Sequence, residues 1–158
     1  MMIMKLTPDL ASIYGVEANW NYGLEAHVRW SDLDGFGHVN HRAHFLWFED
    51  VRNAYLENLG FPLAGPMVPG PVVKETHCTY QRPLGFNTAI LVTARTTWFG
   101  RSSFHMNYAI WHEGLVARGS AILVWLRNSD STKVTLPDGL RAGMVADGAI
   151  LRSRNPKG

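Results

Sequence analysis

The chain has 158 residues, of which 46% are hydrophobic and 18% charged, a composition that excludes intrinsic disorder and favours one globular domain. Its formal net charge of +2 gives no indication of a nucleic-acid-binding protein, whose basic residues cluster on one face. The single cysteine, Cys78, excludes an internal disulfide framework and a cysteine-rich zinc site. We expect a cytoplasmic protein, because no secretory signal and no membrane-spanning apolar run is present.

The first clear pattern is a strand over residues 24–30, LEAHVRW, in which apolar and polar side chains alternate. From Val39 onward, apolar residues recur every three or four positions and trace a helical stripe that ends at Gly60. Phe45 and Phe48 widen this stripe, so the helix is apolar over much of its surface. We therefore expect other elements to cover it on more than one side.

The second half of the chain has the pattern of a β-sheet. A loop rich in Gly and Pro is followed by strand-like runs, and the last three of these have tight connections that predict an antiparallel meander. The loop covers residues 60–71, and the runs cover 72–81, 88–99, 103–112 and 115–126. A short surface helix is expected from Pro137 or Asp138, and the basic end, LRSRNPKG, is expected to be frayed.

The order of strand, long helix and about four antiparallel strands predicts an α+β fold. A curved antiparallel sheet wrapped around one long central helix fits it best, because the concave face of the sheet needs a cover and the helix needs a wrapper. With no internal repeat in the sequence, we expect a single domain over residues 1–158.

Polar and flexible residues crowd into WSDLDGFGHVNH, residues 30–41, directly before the helix. A metal site is one interpretation, since His38, His41 and His44 are spaced by three and positions three apart share a helix face. The familiar zinc helix instead has two histidines four apart around a glutamate, which is absent here. We therefore expect no metal.

Two other interpretations of the stretch stay open. In the structural one, residues 34–37 form a turn and Asn40 caps the helix. In the catalytic one, the Asp34 carboxylate lies beside the unpaired N–H groups at the helix start, which polarise a substrate carbonyl and hold an oxyanion. The carboxylate then attacks that carbonyl or activates a water molecule against it. The glycines allow a substrate to approach the backbone closely.

The run VRWSDLDGFGHVNHRAHFLWFEDVR, residues 28–52, resembles the hotdog-fold acyl-CoA thioesterases of the 4-hydroxybenzoyl-CoA thioesterase type. That family has a D-x-D-x-x-G-H-V-N-N-type signature, followed by a helix with an F-E-x-x-R pattern. The matching residues here are Asp32, Asp34, Gly37, His38, Val39, Asn40, Phe48, Glu49 and Arg52. GPVVKETHCTYQRPL, GRSSF and VARGSAILVW are also similar to family segments, so the likeness covers about residues 22–140.

The resemblance implies a hotdog fold that dimerises edge to edge, with active sites at the subunit interface and dimers that commonly pair into tetramers. It also implies a catalytic role for Asp34, as general base or as nucleophile. The backbone N–H of His41, which stands where the family often has a second Asn, would be the oxyanion donor. Gly37, His38 and Asn40 would complete the catalytic stretch, and Asp32 would be a strand-end or turn residue.

The implied substrate is an acyl-CoA, with coenzyme A as part of the substrate and no separate cofactor. Its phosphates need cations, and its polar groups need hydroxyl donors. The candidates are Arg82, Arg101 and Lys74 as cations, with Ser102 and Ser103 as hydroxyl donors. The acyl pocket would draw on Phe36, Trp47, Phe48 or Tyr55, each of which is equally suited to core packing.

Two further functions stay open at this point. A hotdog dehydratase or hydratase needs a histidine paired with a carboxylate, and His38 and Asp34 would be that pair. A non-catalytic acyl-CoA-binding protein would keep only the fold. Cys78, alone in a strand pattern, is expected to be a small buried hydrophobic residue rather than a nucleophile. The sequence leaves open whether the acyl group is aromatic or fatty, and whether coenzyme A or acyl carrier protein carries it.

Overall fold

The described part of the chain, residues 2–153 of a computed structural model, folds around one eight-stranded sheet with the order β1-β2-β4-β5-β6-β3. Strand β7 pairs with β6, and β8 pairs with β4. The strands are β1 Met4–Lys5, β2 Tyr22–His27, β3 Gly70–Tyr80, β4 Ala89–Phe99, β5 Ser103–Trp111, β6 Leu115–Arg127, β7 Thr132–Lys133 and β8 Ile150–Leu151. The helices are α1 Pro8–Tyr14, α2 His41–Asn58 and α3 Asp138–Ala146.

All strand pairs are antiparallel except β4 with β8, and β4, β5 and β6 form the predicted meander. The α+β prediction is therefore confirmed. One face of the sheet, the inner face, joins α2 in the main core. The opposite, outer face is partly covered by α1, whose Tyr14 packs in a second cluster with Leu91 and Trp111.

Helix α2 supplies the largest part of the inner core. Val51, Tyr55 and Leu56 have no exposed surface. Phe48 stacks on Tyr108 of β5 at 5.0 Å between ring centres. A Cβ atom on Gly119 of β6 would lie 2.3 Å from the Phe48 ring, so only glycine leaves room for this ring.

One boundary prediction is wrong for a local reason. The strand predicted over 24–30 ends at His27, and Trp30 begins a 3-10 turn in which it is 76% exposed. The N–H of Asp32 donates to the carbonyl of Arg29 at 3.1 Å, so the chain turns away from the sheet there. The N-terminal elements β1 and α1 were not predicted.

The C-terminal region is more ordered than predicted. The helix expected from Asp138 is confirmed as α3, but it is not only a surface helix, because Leu140 and Met144 are fully buried. The start of the tail joins the sheet through β8, and the N–H of Arg152 donates to the carbonyl of Phe99 at 2.8 Å. The rest of the predicted frayed end, residues 154–158, lies outside the described residues.

The long strand β3 lies at one edge of the sheet. It pairs with β6 on one side, and no strand of residues 2–153 pairs with its other side. Its inner-face residues Cys78 and Tyr80 lie opposite Gly119 and Ala117, but Tyr80 remains 48% exposed. A long edge strand with free N–H and C=O groups is a template for pairing with another chain.

A buried polar group fixes α2 against the end of the sheet. The hydroxyl of Tyr55 donates to Oδ2 of Asp147 at 2.7 Å, and the Asn21 side-chain amide donates to Oδ1 at 2.8 Å. Tyr55 is therefore a core residue and not part of an acyl pocket. No helix within the described range has the length and apolarity to cross a membrane.

We expect Tyr55→Phe to lower the free energy of unfolding by about 1–3 kcal/mol, because it leaves a buried Asp147 oxygen without its donor. Urea unfolding monitored by circular dichroism measures the change. Tyr22→Phe is the control, since the Tyr22 ring packs 5.8 Å from the Tyr55 ring but its hydroxyl makes no hydrogen bond within residues 2–153. Equal losses in the two variants would contradict the prediction.

Candidate active site

The segment before α2 is a tight loop closed by backbone hydrogen bonds. Leu33 and Val39 form an isolated antiparallel bridge, and the N–H of Asp34 donates to the carbonyl of His38 at 2.7 Å. Gly37 has a φ of +75°, a conformation that favours glycine, and its N–H donates to the Asp34 carbonyl at 3.1 Å. The loop therefore has one defined shape, with Asp34 at its base.

The Asp34 carboxylate is half-buried and is oriented by the loop's own backbone. Its Oδ1 accepts hydrogen bonds from the N–H groups of Phe36 at 2.8 Å and His38 at 3.3 Å. Its Oδ2 accepts no hydrogen bond within residues 2–153. One oxygen thus anchors the side chain, while the other is available to a water molecule or a substrate.

Asn40 sets the start of α2. It has an extended backbone, with φ −68° and ψ 142°, and its Oδ1 accepts from the Arg42 N–H at 3.1 Å. This confirms the predicted cap, and it moves the helix start from Val39 to His41. Val39 instead donates its N–H to the carbonyl of Leu84 at 2.9 Å.

The cap leaves the N–H of His41 open. The N–H groups of Arg42 and Ala43 both donate to Asn40, whereas that of His41 has no acceptor in the described part of the chain. A free N–H in the first turn of a helix lies at the positive end of the helix dipole. It is therefore suited to an anionic or polarised oxygen.

The three histidines do not form one group. His38 and His41 are exposed, whereas His44 is only 5% exposed and its Nδ1 lies 3.4 Å from the Asn40 carbonyl. The His44 ring meets Tyr80 edge-on at 4.8 Å, and burial lowers its pKa. Residues 2–153 hold no cluster of three or more His, Cys, Asp or Glu side chains placed to bind a metal.

Arg82 is fixed by the connection between β5 and β6. Its guanidinium donates to the carbonyls of Leu115 at 3.2 Å, Gly114 at 3.3 Å and His112. Arg82 therefore holds its own hairpin in one subunit. Its Nη1 makes no hydrogen bond within residues 2–153, so that group stays available for the predicted contact with coenzyme A.

The other coenzyme A candidates lie elsewhere on the sheet. Arg101, Ser102 and Ser103 lie at the connection between β4 and β5, at the opposite end from Arg82. Nε of Arg101 donates to Thr135 at 3.3 Å, and Lys74 lies in the middle of β3, at its bulge. One chain thus does not bring the five candidates together, and their role stays a prediction.

The side chains considered for the acyl pocket are placed differently. Phe36 is 90% exposed at the tip of the loop before α2, whereas Trp47 and Phe48 belong to the core. Cys78 also packs against the core, and burial raises the pKa of its thiol, as expected for a hydrophobic role. Tyr80, which contacts His44, was not among the predicted site residues, although its two-residue spacing from Cys78 places both on the inner face.

Comparisons with known proteins agree on one family. The profile of the thioesterase-like superfamily matches residues 28–144. A solved structure of a thioesterase-superfamily protein from a Jannaschia species is 32% identical, with 91% of this chain and 93% of that chain covered and a TM-score of 0.82.

Two further solved structures are similar. The PA5185 protein of Pseudomonas aeruginosa is 28% identical, with 81% of this chain and 92% of that chain covered and a TM-score of 0.75. A thioesterase of Thermus thermophilus, solved in complex with coenzyme A and Zn, is 27% identical, with 83% and 97% covered and a TM-score of 0.72.

The lowered pKa of His44 predicts a loss of stability in acid. The neutral ring is favoured in the folded state, so its stabilisation is complete above the ordinary value of 6.5 and is lost as the pH falls toward the folded pKa. We expect the wild type to lose up to about 1.4 kcal/mol per pH unit more than His44→Gln in this window. Urea titrations at a series of pH values measure it.

His38→Gln is the matched control, because its ring is exposed on the loop next to α2. It should follow the wild-type pH profile of unfolding. If His44→Gln also follows that profile, burial of the ring is not what couples stability to pH.

Proposed function

The chain belongs to the thioesterase-like superfamily and is a thioester hydrolase, and on that premise we propose that it hydrolyses an acyl-CoA at the start of α2. The observation that carries the proposal is the free N–H of His41, which begins α2 two residues after the Leu33–Val39 bridge that closes the loop of Asp34. Together they offer a base in the loop and an oxyanion donor in the first turn of the helix that follows it.

In the proposed reaction, the thioester carbonyl oxygen accepts a hydrogen bond from the N–H of His41. Asp34 takes a proton from water as the water oxygen attacks the acyl carbon. The same N–H and the helix dipole stabilise the negative oxygen of the tetrahedral intermediate. When that intermediate collapses, the C–S bond breaks and the proton on Asp34 passes to the departing thiolate.

A second route uses the same residues. The free Oδ2 of Asp34 attacks the acyl carbon directly, the thiolate leaves, and water then hydrolyses the resulting mixed anhydride. Both routes need Oδ2 free and Oδ1 held, which is the arrangement in the loop.

Coenzyme A is the proposed thiol carrier. Support comes from the Thermus thermophilus thioesterase, which is solved with coenzyme A. No step of the proposed reaction uses a metal, because Asp34 and His41 already supply the base and the oxyanion donor. The cytoplasm is the proposed compartment, in keeping with the single free thiol of Cys78.

The proposed assembly is a homodimer in which two copies of β3 pair edge to edge. Support comes from the free edge of β3 and from the exposed apolar side chains of Val72 and Val73, each 42% exposed. Pairing of the strands would satisfy the free backbone groups along eleven residues. Dimers of dimers remain part of the proposal.

A dehydratase is the weaker alternative. That chemistry needs the ring of His38 against the Asp34 carboxylate, but it is the backbone N–H of His38 that donates to Oδ1. The ring is exposed and makes no hydrogen bond with any described residue.

We expect Asp34→Asn to lower kcat for acyl-CoA hydrolysis by at least about 100-fold, because no other carboxylate of the loop replaces its Oδ2. A thiol reagent that reports free coenzyme A measures the rate. Asp32→Asn is the control: Asp32 accepts a hydrogen bond from the Arg29 N–H at 2.8 Å, so its loss should affect stability more than kcat. Undiminished thiol release by Asp34→Asn would refute the proposed mechanism.

The oxyanion donor can be removed alone, because His41 is the first residue of α2. Proline is well tolerated at this helix position, and the extended Asn40 suits a following proline. We expect His41→Pro to lower kcat by about 10²–10³-fold through loss of the N–H. His41→Ala keeps the N–H and should stay close to wild type. If both variants lost activity equally, the ring would be the group that matters. If both kept wild-type activity, neither group would matter.

A further inference from the structure

A cavity of about 470 Å³ lies beneath the loop of residues 60–71 that joins α2 to β3. Phe61, Leu63, Val68 and Trp125 line it, with Asn128 and Thr135 as the polar side chains. Its volume lies in the range of small-molecule sites, and no charged side chain of the described residues lines it. At its rim Leu63 is 57% exposed, which suggests that something apolar covers it in the working protein.

The cavity is out of reach of the active site in the same chain. Asp34 and His41 lie at the start of α2, and the cavity lies beyond its end at Asn58. An α-helix of 18 residues is roughly 27 Å long. An acyl group on a thioester held at His41 would have to extend along the whole helix to enter the cavity of its own subunit.

The charges of β3 select one register for the proposed dimer. Lys74 and Glu75 lie at the middle of the strand. A two-fold axis between them places Lys74 opposite the partner's Glu75, and Glu75 opposite the partner's Lys74, so opposite charges meet twice. An axis through Glu75 would instead place two carboxylates against each other.

The bulge of β3 makes this register compatible with the sheet. The register of β3 against β6 shifts between Val73 and Glu75. Val73 lies opposite Leu123 and Thr76 opposite Ala121, so both residues are on the inner face despite their odd spacing. With the axis between Lys74 and Glu75, Val73 meets the partner's Thr76, and the inner faces of the two sheets are continuous.

The same register joins the cavity to the other active site. Tyr80 comes opposite the partner's Pro69, which is one of the residues that line the cavity. Tyr80 in turn contacts His44 in the first turns of α2, at 4.8 Å between ring centres. The partner's cavity therefore adjoins the start of the catalytic helix.

We propose that the cavity of each subunit receives the acyl group of the thioester bound at Asp34 and His41 of the partner, and that this acyl group is apolar and uncharged. The inference rests on the proposed function. Medium-length aliphatic acyl groups fit the apolar wall. An acyl group with a carboxylate would lose its hydration there and find no cationic side chain to pair with.

Val68→Trp tests the acyl preference by filling the cavity. We expect its kcat/KM to fall at least about tenfold more for octanoyl-CoA than for acetyl-CoA, whose acyl group does not need the cavity. Val145→Trp is the matched control, because Val145 is 56% exposed on α3 and does not line the cavity. The wild type should also prefer octanoyl-CoA to malonyl-CoA. An equal fall for octanoyl-CoA and acetyl-CoA would overturn the assignment of the cavity.

A mixed dimer tests which subunit's active site the cavity serves. Asp34→Asn and Val68→Trp chains are co-expressed with different affinity tags, and dimers that carry both tags are isolated. If the cavity serves the partner, one of the two sites has both an intact Asp34 and an unfilled cavity. We then expect roughly half of the wild-type octanoyl-CoA activity per dimer.

If the cavity served its own chain, neither site of the mixed dimer would be intact. Octanoyl-CoA activity would then be no higher than in the Val68→Trp homodimer, while acetyl-CoA hydrolysis continued, and the inference would be overturned. Failure of the proposed function looks different, because the Asp34→Asn homodimer would then hydrolyse both substrates. Should Val68→Trp not fold, Gly70→Val narrows the same cavity, since its Cβ would lie 3.8 Å from Leu63.

Discussion

The helix cap made by Asn40 is the interaction on which the rest of the site depends. Its side chain and carbonyl take the N–H groups of Arg42 and Ala43 and leave that of His41 open. Its own N–H donates to the carbonyl of Asp32 at 2.7 Å, which ties the start of α2 to the turn before the loop. One residue therefore fixes where the helix begins, which donor stays free, and how the loop that carries Asp34 is closed.

The free edge of β3 is the second constraint, because the features at the two ends of α2 are separate in one chain and would adjoin only in a dimer. A single subunit has the Asp34 carboxylate and the free N–H of His41 at one end of α2 and an apolar cavity at the other. A long strand with unpaired backbone groups and opposite charges at its middle favours a symmetric partner. The proposed active site and the proposed acyl cavity thus adjoin only when two subunits pair along that edge.

Periodicity and local chemistry predicted the elements that position the site. The three- and four-residue spacing predicted α2, strand-like runs with tight connections predicted the meander, and the residue type of Asn40 predicted the cap. Long-range contacts were beyond such patterns. The residue type of Tyr55 fits a pocket wall as well as the observed hydrogen bond to Asp147. That of Arg82 fits a phosphate contact as well as the observed bonds to three carbonyls. Trp30 continued the alternation of β2, but a backbone turn ended the strand first.

The Tyr55–Asp147–Asn21 group has a consequence for where the folding unit ends. The residues matched by the family profile, 28–144, include Tyr55 but neither of its partners, and they also omit β2, which pairs with β4 inside the sheet. A chain trimmed to the matched residues would keep Asp34, Asn40 and His41, yet it would have a buried hydroxyl without an acceptor and a central strand with one side open. The folding unit is therefore wider than residues 28–144 on both sides, and a shortened chain should still extend from β1 through β8.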